Sequence, residues 1–121
     1  MEKVIVIDGK NVRLKSTGST TMRYKAQFAS DFLKDILKLN PLISLVGDDG
    51  EVDISKIDDG VLDKIDFELF NRLIWVFAKT ADPQNVQDPM TWLDQFEEFP
   101  IVDILPEIID LLTACLSKKK I

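Results

Sequence analysis

A chain of 121 residues with 45% hydrophobic and 30% charged side chains has the size and composition of one globular domain, and it is too apolar to be disordered. Its net charge of −6 opposes binding to nucleic acid, whose phosphates demand a basic surface. The longest apolar run, Leu73 to Ala78, is bounded by Arg72 and Lys79 and is far shorter than the ~20 residues of a membrane span; the start MEKVIVIDGK is no signal peptide, so a soluble cytoplasmic protein is expected.

At the N-terminus, Lys3 to Asp8 (KVIVID) is rich in β-branched residues and Val12 to Lys15 (VRLK) alternates apolar with basic. This predicts a β-hairpin within residues 1–17, connected by Asp8-Gly9-Lys10-Asn11, with Val12 and Leu14 inward and Arg13 and Lys15 outward. A lone hairpin is marginal in water and has to pack on helices. Ser16 to Ser19 lead to the capping candidates Thr20 and Thr21. One helix is expected from Met22 to Leu39, with Phe28, Phe32, Ile36 and Leu39 on its stripe and Met22, Leu33 and Leu37 widening it. Asn40-Pro41 breaks it, because the residue before a proline is pushed out of the α region. Leu42 to Val46 fits either a short helical turn or an extended piece.

Gly47 to Gly60 (GDDGEVDISKIDDG) reads as a solvated acidic loop; the alternative is a short third strand against the hairpin, carried by Val52, Ile54 and Ile57. A calcium loop does not fit. With Gly50 or Gly60 at the sixth position, Leu45 and Gly47, or Ser55 and Ile57, fall where the first acidic ligands belong.

Asp66 to Asp82 (DFELFNRLIWVFAKTAD) is the segment whose apolar residues nearly encircle a helix. Phe67, Phe70, Leu73, Ile74, Phe77, Ala78 and Ala81 follow the helical period, and Leu69, Trp75 and Val76 widen the stripe. Such a helix must be covered on several sides, so it is the expected spine of the domain. Asp66 is its capping candidate and Asp82-Pro83 its stop. Asp88-Pro89 opens a further helix carrying Trp92, Leu93 and Phe96, and Phe99-Pro100 separates it from a last helix, Ile101 to about Leu116. That helix places Ile101, Ile104, Leu105, Ile108, Leu111, Leu112 and Cys115 at helical spacing, with Pro106 bending it. Lys118 to Lys120 form a basic tail in residues 118–121, where cations favour a helix C-terminus.

The whole is therefore expected to be a single α+β domain, an N-terminal β-hairpin or small antiparallel sheet packed on about four α-helices, mainly helical over 20–117. Charge is uneven along it. Residues 1–40 hold eight Lys or Arg against four Asp or Glu, and residues 41–121 hold seven against seventeen. The resulting attraction could act within the monomer or between subunits of a homo-oligomer.

Catalytic chemistry finds little support. The chain has no histidine, so the usual general base near neutral pH is missing, and Cys115 lies without that partner on an apolar helical face. A single cysteine allows no internal disulfide and fits a reducing compartment. No cofactor or metal is expected, for GxGxxG, P-loop and zinc spacings are absent. The basic cluster in residues 10–38 has one stacking aromatic outside the expected core, Tyr24.

The succession IDGKNVRLKSTGSTTMRYKAQFASDFLKDILKL, LDKIDFELFNRLIWVFAKTADP and DPMTWLDQFEEFPIVDILPEIIDLL resembles the tail assembly chaperones of long-tailed phages and prophages of Gram-positive bacteria. The likeness omits only the acidic loop. Its telling parts are the IDG turn, T-x-x-R-Y at Thr20 to Tyr24, AK-x-AD at Ala78 to Asp82, and WLDQFE followed by ILPEI. Members often have Tyr where Trp75 stands.

The resemblance implies a non-enzymatic cytoplasmic protein that binds the tape measure protein and keeps it soluble until tail tube subunits polymerise around it. A structural tail or head-to-tail protein retained in the virion is the alternative. Family members commonly yield a longer frameshifted product that recruits tail tube protein, and the Lys118 to Lys120 codons are A-rich enough to host such a shift; a plain basic tail is the competing reading. For the client-binding surface the candidates are Trp92, Phe96 and Phe99, carried on a short helix between two proline breaks, with an ordinary core role as the alternative.

Overall fold

The computed structural model describes residues 1–116; Lys118 to Lys120 and the expected junction lie outside them. Two antiparallel strands, β1 (Glu2–Ile7) and β2 (Lys10–Lys15), precede seven α-helices among the described residues: α1 (Thr20–Phe28), α2 (Phe32–Leu37), α3 (Asn40–Ile43), α4 (Asp59–Leu62), α5 (Phe67–Ala81), α6 (Pro89–Asp94) and α7 (Ile101–Leu116). The fold is α+β. Of the expected four helices, α5, α6 and α7 stand close to where periodicity put them, and α3 and α4 are single turns.

The strands pair Glu2 with Lys15 through Ile7 with Lys10, so the connection is the two residues Asp8 and Gly9 and not the four expected. Their φ angles of 52° and 73° match the turn whose twist suits a tight hairpin, and Asp and Gly are residue types that accept it. Ile5, Ile7, Val12 and Leu14 are buried, whereas Val4 and Val6 face outward and are exposed. The buried face rests on α5 mainly through β2, and α7 packs beside β1.

The single helix expected from Met22 to Leu39 is two. Ala29 adopts a left-handed conformation with φ 54°, and its N–H bonds the Lys25 carbonyl to close α1. Asp31 then caps α2 by accepting from the Lys34 N–H at 2.9 Å. The break keeps Phe32, Ile36 and Leu39 in the core but turns Met22, Leu33 and Leu37 to solvent. Pro41 does not merely end a helix, for it occupies the first turn of α3, where its missing N–H costs nothing. Thr20 and Thr21 do not cap α1. Ser19 stands at the cap position without a side-chain bond, and Thr20 is buried.

The third strand against the hairpin is absent among the described residues. Val52 makes one isolated antiparallel bridge, to Val46, and Ile54–Lys56 is a 3-10 turn with Ile54 exposed. Carboxylates organise this segment locally: Asp49 accepts from the Glu51 N–H, Asp53 from Ser55 and Asp58 from Val61. Those bonds hold turns and cost the chain no core.

Helix α5 is the covered spine. Asp66 accepts from the Glu68 and Leu69 N–H groups, and Leu69, Phe70, Leu73 to Ala78 and Thr80 are buried; Phe67 is exposed because it points away at the first turn. Trp75 fits by donating its indole N–H to the Gln87 carbonyl at 2.8 Å and meeting Phe28 edge-on, with centroids 5.6 Å apart. Lys79 fastens the following loop by donating to the Pro83 and Val86 carbonyls at 2.9 and 2.6 Å.

Candidate functional site

Trp92, Phe96 and Phe99 do come together. Asp88 caps α6 by accepting from the Thr91 N–H, and the helix sets Trp92 and Phe96 edge to face at 5.1 Å, with Phe99 5.8 Å beyond. The hairpin turn clamps them. Asp8 Oδ2 accepts from the Glu97 N–H at 3.0 Å, and Lys10 donates to the Gln95 carbonyl at 2.9 Å while lying over the Phe96 ring. Trp92 and Phe96 are only 6% and 7% exposed and Phe99 is half-buried. In this conformation the faces of Trp92 and Phe96 are spent on one another and on the core, whereas Phe99 keeps part of its ring open.

Tyr24 is not a surface aromatic. It is wholly buried, flanked by Phe28 and Phe32, and its hydroxyl donates to Asp35 Oδ2 at 2.6 Å. Burial, and after it this bond, push the phenol above its ordinary pKa. Asp35 is buried as well, and Lys38 reaches its other oxygen at 3.8 Å. A second buried polar link joins α1 to α5. Thr80 donates to the Val76 carbonyl, Thr20 Oγ1 lies 3.2 Å from Thr80 Oγ1, and Thr20 accepts from the Thr17 N–H; with the Thr80 proton already placed, Thr20 must be the donor between the two. Cys115 is half-buried, and burial pushes its thiol away from the reactive thiolate.

The surface with open apolar area lies elsewhere. Leu42 and Leu45 on one side, Val52, Ile57, Leu62 and Ile65 on another, and Phe67, Ile101 and Val102 on a third enclose a groove of about 60 Å³ with apolar residues throughout. At its rim Leu62, Phe67 and Val102 are 42%, 38% and 40% exposed. Val52 and Val102 also line a wider trough of about 450 Å³, whose other walls include Asp49, Glu51, Asp103 and Glu107. Glu107 pairs with Lys3 at 3.6 Å; Asp49, Glu51 and Asp103 have no ion pair among the described residues. Sequence reading missed this groove because its walls come from segments far apart in the chain, and the acidic stretch hides the apolar residues between its carboxylates.

Among the described residues no cluster of three or more metal-ligating side chains could hold an ion, and no helix is long and apolar enough to cross a membrane. Compared with known protein families, curated proteins and solved structures, the chain finds no match in any of the three.

Proposed function

We propose that this protein is a tail assembly chaperone of a long-tailed phage or prophage. It binds the tape measure protein in the host cytoplasm, keeps it soluble until the tail tube polymerises around it, and acts by binding without catalysis. The observation that carries this reading is that the segments resembling the family interlock in space. Thr20, which opens T-x-x-R-Y, bonds Thr80 at the open position of AK-x-AD, and Asp8 of the IDG turn, with Lys10 just after it, bonds the backbone of WLDQFE at Glu97 and Gln95. Individually weak matches that brace one another support a shared fold signature over a chance string, and a shared fold with no constellation for chemistry among the described residues supports an interaction role.

A longer product, read through a frameshift near Lys118 to Lys120 and recruiting tail tube protein, belongs to the same proposal; an overlapping reading frame past Lys120 is its requirement. Co-expression with the tape measure protein of the same phage tests the main claim. A soluble complex is expected, and the client should precipitate alone. A client equally soluble alone, or this chain recovered in purified virions, would overturn the chaperone role.

A further inference from the structure

Residues 44–68 form the thinnest part of the domain, because Leu45 alone among them is fully buried. The other side chains touch the core in part or face water. Segments with so little buried apolar area open at low free-energy cost, and this one forms a movable wall over the apolar groove. Its opposite wall, Ile101 and Val102, belongs to α7, which is anchored by buried Ile104, Leu105, Ile108, Leu111 and Leu112. One fixed wall and one soft wall suit the seating of an inserted side chain.

Size and charge narrow what can enter. A water needs ~10–15 Å³ of such space, so a groove of about 60 Å³ admits the few heavy atoms of one aliphatic side chain and is too small for a folded element. Around it the carboxylates of Asp49, Glu51, Asp103 and Glu107 line the adjoining trough. Lys3 pairs with Glu107 at 3.6 Å, and Asp49, Glu51 and Asp103 have no ion pair among the described residues; beyond residue 40 the described chain sets four cations, Lys56, Lys64, Arg72 and Lys79, against seventeen acidic residues. A neighbouring charge on an occupant must therefore be positive. In an amphipathic helix, residues three or four apart project from one face ~5–6 Å apart at Cβ, so a Leu or Ile with a Lys or Arg one turn away meets groove and trough together.

We propose that this groove and trough form the docking site for an amphipathic helical segment of a client protein, in which an aliphatic side chain fills the groove and Lys or Arg one turn away lies on the unpaired carboxylates of Asp49, Glu51 and Asp103. The site deepens the chaperone reading, on which it rests, by naming the surface and the chemistry of the segment it takes. It uses helix-in-groove recognition with a charge rim that sets specificity and direction.

Fluorescence anisotropy on the full chain tests it with two synthetic helical peptides sharing one Leu stripe, one flanked by Lys and one by Glu. The Lys peptide should bind at least tenfold more tightly and weaken as salt rises. Leu62→Asp with Val102→Asp, at exposed positions, should reduce its binding at least tenfold while the thermal midpoint stays near that of the parent. Asp49→Asn with Glu51→Gln and Asp103→Asn should reduce both affinity and salt dependence. Equal binding of the two peptides, preference for the Glu peptide, or undiminished binding by the Leu62/Val102 variant at an intact melting temperature would overturn the site. So would light scattering that shows the groove occupied by a second copy, with dimers lost in the same variant. Co-expression separates the two levels of inference. A tape measure protein that stays bound to the groove variant refutes this surface and leaves the chaperone role standing, whereas one that binds neither form removes both.

Discussion

Replacing Tyr24 by Phe removes one oxygen from the centre of the α1 and α2 contact and leaves every ring contact in place. The lost bond is short, 2.6 Å, and its acceptor is the carboxylate of Asp35, which is 1% exposed. A hydrogen bond to a charged group contributes ~1.5–3 kcal/mol, and its removal also leaves a buried acceptor without its donor. Lys38 compensates poorly, since it sits at 3.8 Å with most of its side chain in water. For a domain of this size the loss corresponds to a fall of about 5–15 °C in the thermal midpoint. Calorimetry of Tyr24→Phe, Asp35→Asn and the double variant closes a cycle in which the double should cost clearly less than the sum. The same site has an alkaline signature. A phenol whose pKa is raised in the folded state stays protonated where the unfolded chain already ionises, so the stability it contributes is complete below about pH 10, the ordinary tyrosine value, and is lost as pH rises from there toward the folded-state value. Because the chain has one tyrosine, tyrosinate absorbance reports this residue alone and should appear only together with unfolding. Titration near pH 10 with circular dichroism unchanged, or a Tyr24→Phe cost below ~0.5 kcal/mol, would refute the buried pair.

Phe70→Ala and Phe77→Ala empty fully buried sites on α5 and should each cost ~3–5 kcal/mol, much of the ~5–15 kcal/mol available to a domain; urea titration measures it, and midpoints near the parent's would displace the core. Ala29→Gly should instead stabilise by up to ~1 kcal/mol, because the left-handed φ of 54° penalises any Cβ. Asp8→Ala should cost ~1–2 kcal/mol by removing the acceptor for the Glu97 N–H and should quicken hydrogen exchange there, while Asp8→Asn, which keeps an acceptor and tolerates positive φ, should cost less.

What could be read from the chain was whatever repeats or punctuates locally. Apolar spacing located α5 and α7, Asp66 and Asp82-Pro83 marked the ends of α5, and Asp88-Pro89 marked the start of α6, because a capping carboxylate or a proline acts on its own few residues. The break after Phe28 escaped for the opposite reason. Ala29 carries no glycine signal for its left-handed turn, and Asp31 sits where an exposed helical carboxylate would sit in an unbroken helix, so the period ran through both. The hairpin was legible, but its length was not: Asp8-Gly9 is the strong turn signal, and allowing the connection to extend to Asn11 cost two paired residues.

Polar residues proved hardest to place, and the difficulty is physical. Tyr24 and Thr20 look like surface residues until their partners are known, and those partners, Asp35 and Thr80, lie one helix and half the chain away. A hydroxyl becomes a core group only when a distant acceptor satisfies it, and no local pattern encodes that meeting. The aromatic trio shows the same dependence on distant partners: Trp92 and Phe96 are buried and Phe99 half-buried, with Asp8 and Lys10 from the far end of the chain bonding the backbone of Glu97 and Gln95 beside them. The acidic stretch, which composition assigns to solvent, supplies instead one wall of the apolar groove. Burial and exposure here are decided by which segments meet. The open apolar groove therefore lies where a weakly apolar segment lacks a full partner of its own, and not where the most aromatic residues stand.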